Sequence, residues 1–123
     1  MVYEDEILID EEVKEAIDGH VLVWDGVEAE TTLGGAGYHV NNQPFAILLE
    51  GVVGLNLPDA LRKRALTLAG VSPFRSPDDD ASYERWIQFV IILAVDVPVV
   101  IPWLEAAHRY VLSLPDSDSN DGG

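Results

Sequence analysis

Residues Trp86–Leu104 read WIQFVIILAVDVPVVIPWL, and the architecture of the chain depends on what this stretch forms. Twelve of its nineteen residues are Ile, Leu, Val or Phe, which favours bilayer insertion by roughly 5 kcal/mol. Asp96 lies next to the midpoint and costs about 3 kcal/mol there, while one glutamine and two prolines add further cost. The sum is near zero, so insertion energetics alone allow both a soluble core and a membrane-embedded segment.

The prolines favour the soluble core. Neither Pro98 nor Pro102 can donate a backbone hydrogen bond, so one continuous helix would lose two bonds one turn apart. The pattern therefore predicts a helix over about 78–95, a break at 96–101 and a last helix over 102–114. The first of these is apolar on every side, as expected of a central helix that is covered by its neighbours.

Helix signals also occur upstream of this stretch. Asp10 is a good N-cap for a short helix at 11–18, which Gly19 would end. A second cap, Asn42, precedes an apolar run and predicts a helix over 44–53. A third helix is expected over 58–69, with a proline at its first position.

One segment has the signature of a β-hairpin. The runs 20–24 and 27–32 are rich in β-formers, and Asp25-Gly26 between them suits a tight turn. The sequence thus predicts a mostly helical α+β fold, with a short N-terminal helix, one hairpin and about four helices around a central apolar helix. An all-α fold is the alternative if the hairpin is misread. Residues 1–114 are expected to form a single globular domain and 115–123 a disordered acidic tail.

The charge balance restricts the possible partners. Asp and Glu number 22 against seven Lys and Arg, giving a formal net charge of −15. Such a chain repels nucleic acid and anionic lipid, so direct nucleic-acid binding is not expected and a membrane location is disfavoured without being excluded. Acid excess with only two lysines is typical of proteins from halophilic archaea or bacteria and their viruses, where molar salt screens self-repulsion. An acidic inhibitor that mimics DNA is the alternative.

Other features of composition exclude some classes of protein. The chain has no cysteine, which excludes a disulfide framework and thiolate chemistry. The acidic amino terminus is unlike a secretory signal, so we expect a cytoplasmic or virion location rather than export by that route.

No motif for catalysis or for a metal or cofactor site is complete. Glu105 and His108 have the spacing used in di-iron carboxylate bundles, but no second Glu-x-x-His exists. The histidines at 20, 39 and 108 do not match a zinc motif, and the glycine-rich run 34–37 lacks the Gly-Lys-Ser/Thr of a phosphate loop. We therefore expect no enzyme activity and no cofactor. An enzyme would remain possible if His39, His108 and Asp96 converged in the fold.

The expected function is a non-catalytic interaction or assembly subunit that associates with itself or with a protein partner through apolar helices. A small membrane-embedded protein is a further alternative. Asp96 is singled out as a candidate buried polar residue, which has either a partner or a raised pKa; the alternative is that it caps the segment after the break by bonding nearby backbone amides. The candidate interaction residues comprise a basic cluster and four aromatic side chains: Arg62, Lys63, Arg64, Phe45, Trp86, Phe89 and Trp103.

Overall fold

A computed structural model describes residues 10–32, 35–75 and 83–114, and these build one antiparallel sheet with three α-helices. The helices are α1 (Glu11–Val21), α2 (Asp59–Ala65) and α3 (Val97–Ser113), with a 3-10 turn at Ala94–Asp96 before α3. The strands are β1 (Val27–Thr32), β2 (Gly35–Val40), β3 (Gln43–Leu49), β4 (Val52–Leu55), β5 (Val71–Pro73) and β6 (Ile87–Val90).

The six strands lie in the order β1-β2-β3-β4-β6-β5. The first four follow one another as a meander, and β6 then inserts between β4 and β5, antiparallel to both. Helix α3 packs over β2, β3 and β4, with α1 beside it. Their apolar sides and the facing strand residues form the main core, which includes Ile17, Tyr38, Phe45, Leu48, Leu55 and Leu104.

The opposite face of the sheet has a smaller core. Ile47 packs there with Phe74 and Trp86, both of which lie outside the strands. Gly54 makes this packing possible, because a Cβ atom at that position would lie 2.8 Å from the ring of Phe74. The sheet is therefore covered on both faces near β3 and β4.

The expectation of a mostly helical fold with about four helices is wrong. The predicted helix 44–53 is instead the hairpin of β3 and β4. The predicted cap Asn42 belongs with Asn41 to the turn between β2 and β3, where both residues have positive φ, 55° and 64°. Two such residues make the type of turn that joins paired strands, and Gly51 at φ 80° forms the next turn.

The predicted hairpin is also paired differently. Residues 20–24 complete α1 and the turn after it, and β1 pairs with β2 instead. Gly35 and Gly37 of the glycine-rich run lie in β2, where both are buried. Gly26, at φ 70°, forms the turn between α1 and β1 rather than a hairpin turn.

The stretch 86–104 is not a broken pair of helices. Within the described part of the predicted helix 78–95, residues 87–90 form β6, and the break falls at 91–96. Helix α3 begins at Val97, with Pro98 in its first turn, and continues through Pro102. Burial explains this continuity, because Val97, Val100 and Leu104 are all at most 1% exposed and together gain about 4.5–9 kcal/mol, which exceeds the roughly 3 kcal/mol that a proline within a helix costs.

Three predicted helices are present in altered form. Helix α1 begins after Asp10, whose carboxylate accepts hydrogen bonds from the amides of Glu12 and Val13, but it runs through Gly19. The predicted helix 58–69 is the shorter α2, and the last helix starts five residues early. The predicted tail 115–123 lies outside the described residues. None of the helices in the described ranges combines the length and the apolar character that spanning a bilayer requires.

Candidate interaction surface

Six large apolar side chains remain exposed near one end of the sheet, and we call this set the apolar patch. They come from the turn after α2, the end of β6, the loop 91–96 and the first turn of α3. Their exposure ranges from 43% for Leu68 to 73% for Val95. The other members are Val90, Ile92, Leu93 and Val99. Leu68, Val90 and Val99 line a depression of about 460 Å³.

Asp96 determines the shape of the loop that carries half of this patch. Its Oδ2 atom accepts hydrogen bonds from the amides of Ile92 at 3.2 Å and Leu93 at 3.0 Å. The amide of Asp96 in turn donates to the carbonyl of Leu93 at 2.9 Å. The carboxylate thus closes the loop on itself by bonding amides that precede it; it does not cap the segment that follows, and it is half-exposed rather than buried.

Neighbouring turns hold both sides of the loop. The amide of Ile91 donates to the carbonyl of Gly51 at 2.9 Å, and the amide of Val90 donates to the carbonyl of Gly70 at 3.0 Å. Ile91 points inward and is only 4% exposed. The exposed apolar side chains are therefore presented by a hydrogen-bonded loop, so that little further ordering is needed for them to contact a partner.

The patch has a basic flank on the β5 side. Lys63 and Arg64 are exposed and share a hollow of about 390 Å³ with Leu68 and the half-buried Trp103. Within the described residues, no acid lies within ion-pair distance of either cation.

Arg62, the third member of the basic cluster, is already paired within the chain. It donates to the carboxylate of Asp59 at 3.3 Å, and Arg85 pairs with the same carboxylate. The hydrogen bond from Arg62 lowers the pKa of Asp59 below its usual range, and the charge of Arg85 acts in the same direction. Arg62 is therefore less available to an outside partner than Lys63 and Arg64.

An acidic flank lies on the β4 side of the patch. Glu50 is exposed in the turn between β3 and β4. The next residue, Gly51, contacts the patch, because a Cβ atom placed there would lie 3.9 Å from Cδ1 of Ile92. Helix α1 lies on this side too, since its Asp18 accepts a hydrogen bond from Tyr38 of β2. Among the described residues, the patch thus lies between Lys63 and Arg64 on one side and Glu50 on the other.

Three of the aromatic residues predicted to interact are buried. Phe45 is in the main core at 0% exposure, and Trp86 is in the smaller core at 4%. Phe89 is 6% exposed, and its ring centroid lies 5.7 Å from that of Trp103. Of the four, Trp103 has the most surface at the edge of the patch.

The histidines and Asp96 do not converge. His108 is buried between the rings of Trp24 and Phe45, with both centroids at 5.4 Å, and its Nε2 lies 2.9 Å from the carbonyl oxygen of Asp25. His39 is on the other face of the sheet, where it lies 3.4 Å from the carboxylate of Glu30. Throughout the described ranges, no three His, Asp or Glu side chains are grouped as metal ligands would be.

The exposure of the apolar patch was not predicted from the sequence. Nor was a polar network in which Tyr38 donates to Oδ1 of Asp18 at 2.7 Å while Lys14 contacts Oδ2 at 2.6 Å. Burial raises the pKa of Tyr38 far above its usual range, and the hydrogen bond to Asp18 raises it further. The i, i+4 spacing of Lys14 and Asp18 was a visible signal for half of this network.

No protein-family model, curated protein or solved structure matches this chain.

Proposed function

We propose that this protein is a non-catalytic assembly subunit that associates with a second copy of itself through the apolar patch. The observation that carries the proposal is the exposure of six large apolar side chains at one end of the sheet, three of them on a loop closed by Asp96. Single exposed apolar residues are common on monomers, but a contiguous group beside charged side chains is typical of a binding surface.

The charges around the patch favour a second copy over other partners. A net charge of −15 repels nucleic acid and other acidic molecules, a second copy included, but the patch itself has a cation pair on one side and Glu50 on the other. A second copy presents the same cation pair and the same Glu50 beside its own patch, so opposite charges can pair across the contact. It also presents the same apolar side chains. The high acid content suits association in molar salt, where apolar contact is strong and distant repulsion is screened.

Among the described residues, the distribution of acids gives no particular support to DNA mimicry. Glu28 and Glu30 lie on the face of the sheet opposite to the one that α1 covers. The exposed acids of α1, Glu11 and Glu12 among them, lie on the covered face. A phosphate-like array requires carboxylates on one side.

The proposal is tested by light scattering behind a sizing column, over a range of protein concentrations in molar KCl. The wild-type chain should form a defined oligomer. Replacing Val95 and Val99 by serine removes the two most exposed patch residues and should produce a folded monomer. The matched control is Val23→Ser, which changes a side chain of 79% exposure in the turn after α1 and should leave the oligomer intact. A wild-type chain that is folded and monomeric at every concentration would refute the proposal.

A further inference from the structure

We infer that the two copies are related by a two-fold axis that places Lys63 and Arg64 of one copy against Glu50 of the other. This inference rests on the proposed self-association, and it adds the orientation and the residues that select it. Strands β5, β6 and β4 fix the positions of the two flanks around the patch.

The two flanks lie on opposite sides of the end of β6. On one side, Val90 bonds to Gly70, which follows Leu68 and the basic end of α2. On the other side, Ile91 bonds to Gly51, which follows Glu50. Because β6 is between β5 and β4 in the sheet, the line from the basic flank to Glu50 crosses the patch.

For this layout of flanks, the two-fold axis of a homodimer has two distinct orientations to consider. When two identical patches meet face to face, their two-fold axis lies in the plane of contact. An axis parallel to the line between the flanks would place Lys63 and Arg64 of one copy against the same two residues of the other copy. It would likewise place Glu50 against Glu50. An axis perpendicular to that line stacks each basic flank on an acidic flank, twice per dimer. Like-charge juxtaposition is the costlier arrangement, so the charges select the second axis.

The charged residues of the two flanks are also available for ion pairs between the two copies. Among the described residues, Lys63 and Arg64 have no acid within ion-pair distance in their own chain, and Glu50 has no base. Rim charges of this kind contribute less to affinity than the apolar centre does, but they fix the orientation in which it forms. Contact between the apolar patches provides most of the affinity, and the charged flanks fix the relative orientation of the two copies.

The test uses charge reversal on the full chain. Glu50→Lys alone and Lys63→Glu with Arg64→Glu should each weaken the dimer roughly tenfold or more, because both copies of the pair become repulsive. All three substitutions in one chain should restore the affinity of the homodimer. Mixing the Glu50→Lys chain with the chain that carries Lys63→Glu and Arg64→Glu should produce a heterodimer. In that pair, each chain has flanks of the charge that the other lacks. Glu28→Lys on β1 is the control for the change in net charge and should have no effect.

Dissociation constants are measured by sedimentation at the lowest KCl concentration that preserves the wild-type circular dichroism, because the screening length falls from about 10 Å at 0.1 M to 3 Å at 1 M salt. A wild-type dimer that Val95→Ser with Val99→Ser disrupts, but that the charge reversals leave unchanged, would overturn the inference and leave the proposed function standing. Weakening by both reversals without recovery in the combined chain would also overturn it. A monomeric wild-type chain would overturn both.

Discussion

Replacing Asp96 by alanine should both destabilise the fold and weaken self-association. The substitution removes two hydrogen bonds to the Oδ2 atom, from the amides of Ile92 and Leu93 at 3.2 and 3.0 Å. Both bonds lie at a half-exposed site, where each contributes about 0.5–1 kcal/mol, so the free energy of unfolding should fall by about 1–2 kcal/mol. For a chain of this length that corresponds to a drop in Tm of roughly 4–8 °C.

The variant Asp96→Asn distinguishes the effect of the hydrogen bonds on stability from the effect of the charge. The asparagine side chain keeps an oxygen that can accept from the same amides, but a bond to a neutral acceptor is about half as strong. Its expected loss is therefore about 0.5–1 kcal/mol, although it changes the net charge by the same amount as alanine does. Thermal unfolding followed by circular dichroism in molar KCl measures both variants.

The association constant provides the second measurement. An open loop must be ordered again when the dimer forms, so Asp96→Ala should dissociate more readily than Asp96→Asn at equal fraction folded. If alanine and asparagine gave the same Tm as the wild type, the loop would not depend on this carboxylate. If they lowered Tm equally, the charge and not the hydrogen bonding would be responsible.

Three further predictions concern the buried parts of the fold. The pKa of Tyr38 is raised in the folded state, so the contribution of its protonated hydroxyl to the free energy of unfolding is complete below the unfolded-state pKa of about 10. As pH rises above that pKa, this contribution is lost at up to about 1.4 kcal/mol per pH unit. Tyr38→Phe should lower stability by about 1–2 kcal/mol at neutral pH and remove that alkaline slope in denaturant titrations, and an unchanged slope would argue against the assignment. Gly54→Ala should cost about 1–3 kcal/mol because its Cβ would lie 2.8 Å from the Phe74 ring, and a double-mutant cycle with Phe74→Leu should show that the two losses are not additive. His108→Leu should cost about 0.5–1.5 kcal/mol in thermal unfolding, since it removes the hydrogen bond between Nε2 and the carbonyl oxygen of Asp25, and a Tm equal to that of the wild type would contradict this.

The sequence by itself determined features that depend on neighbouring residues or on composition. Asp10 caps α1 because its side chain needs only the amides two and three residues ahead. The bonds of Asp96 are local in the same way, spanning three and four residues. The acid excess, and the repulsion of anionic partners that follows from it, need no fold at all.

The apolar segments could not be assigned from sequence, because the sheet is covered on both faces near its centre. A strand buried on both sides loses the alternation of apolar and polar residues that identifies strands, so β3 resembles a buried helix. The positive φ angles at Asn41 and Asn42 mark the hairpin turn, but the same residue type is also a good helix cap.

The candidate site was beyond prediction for a related reason. Phe89 and Val90 are adjacent and equally apolar in sequence, yet Phe89 is 6% exposed and Val90 is 50% exposed, because only one face of β6 meets α3 at this point. Local sequence fixes caps and turns through short-range hydrogen bonds, whereas exposure depends on which distant elements pack against each face, and that packing places the patch between its two charged flanks.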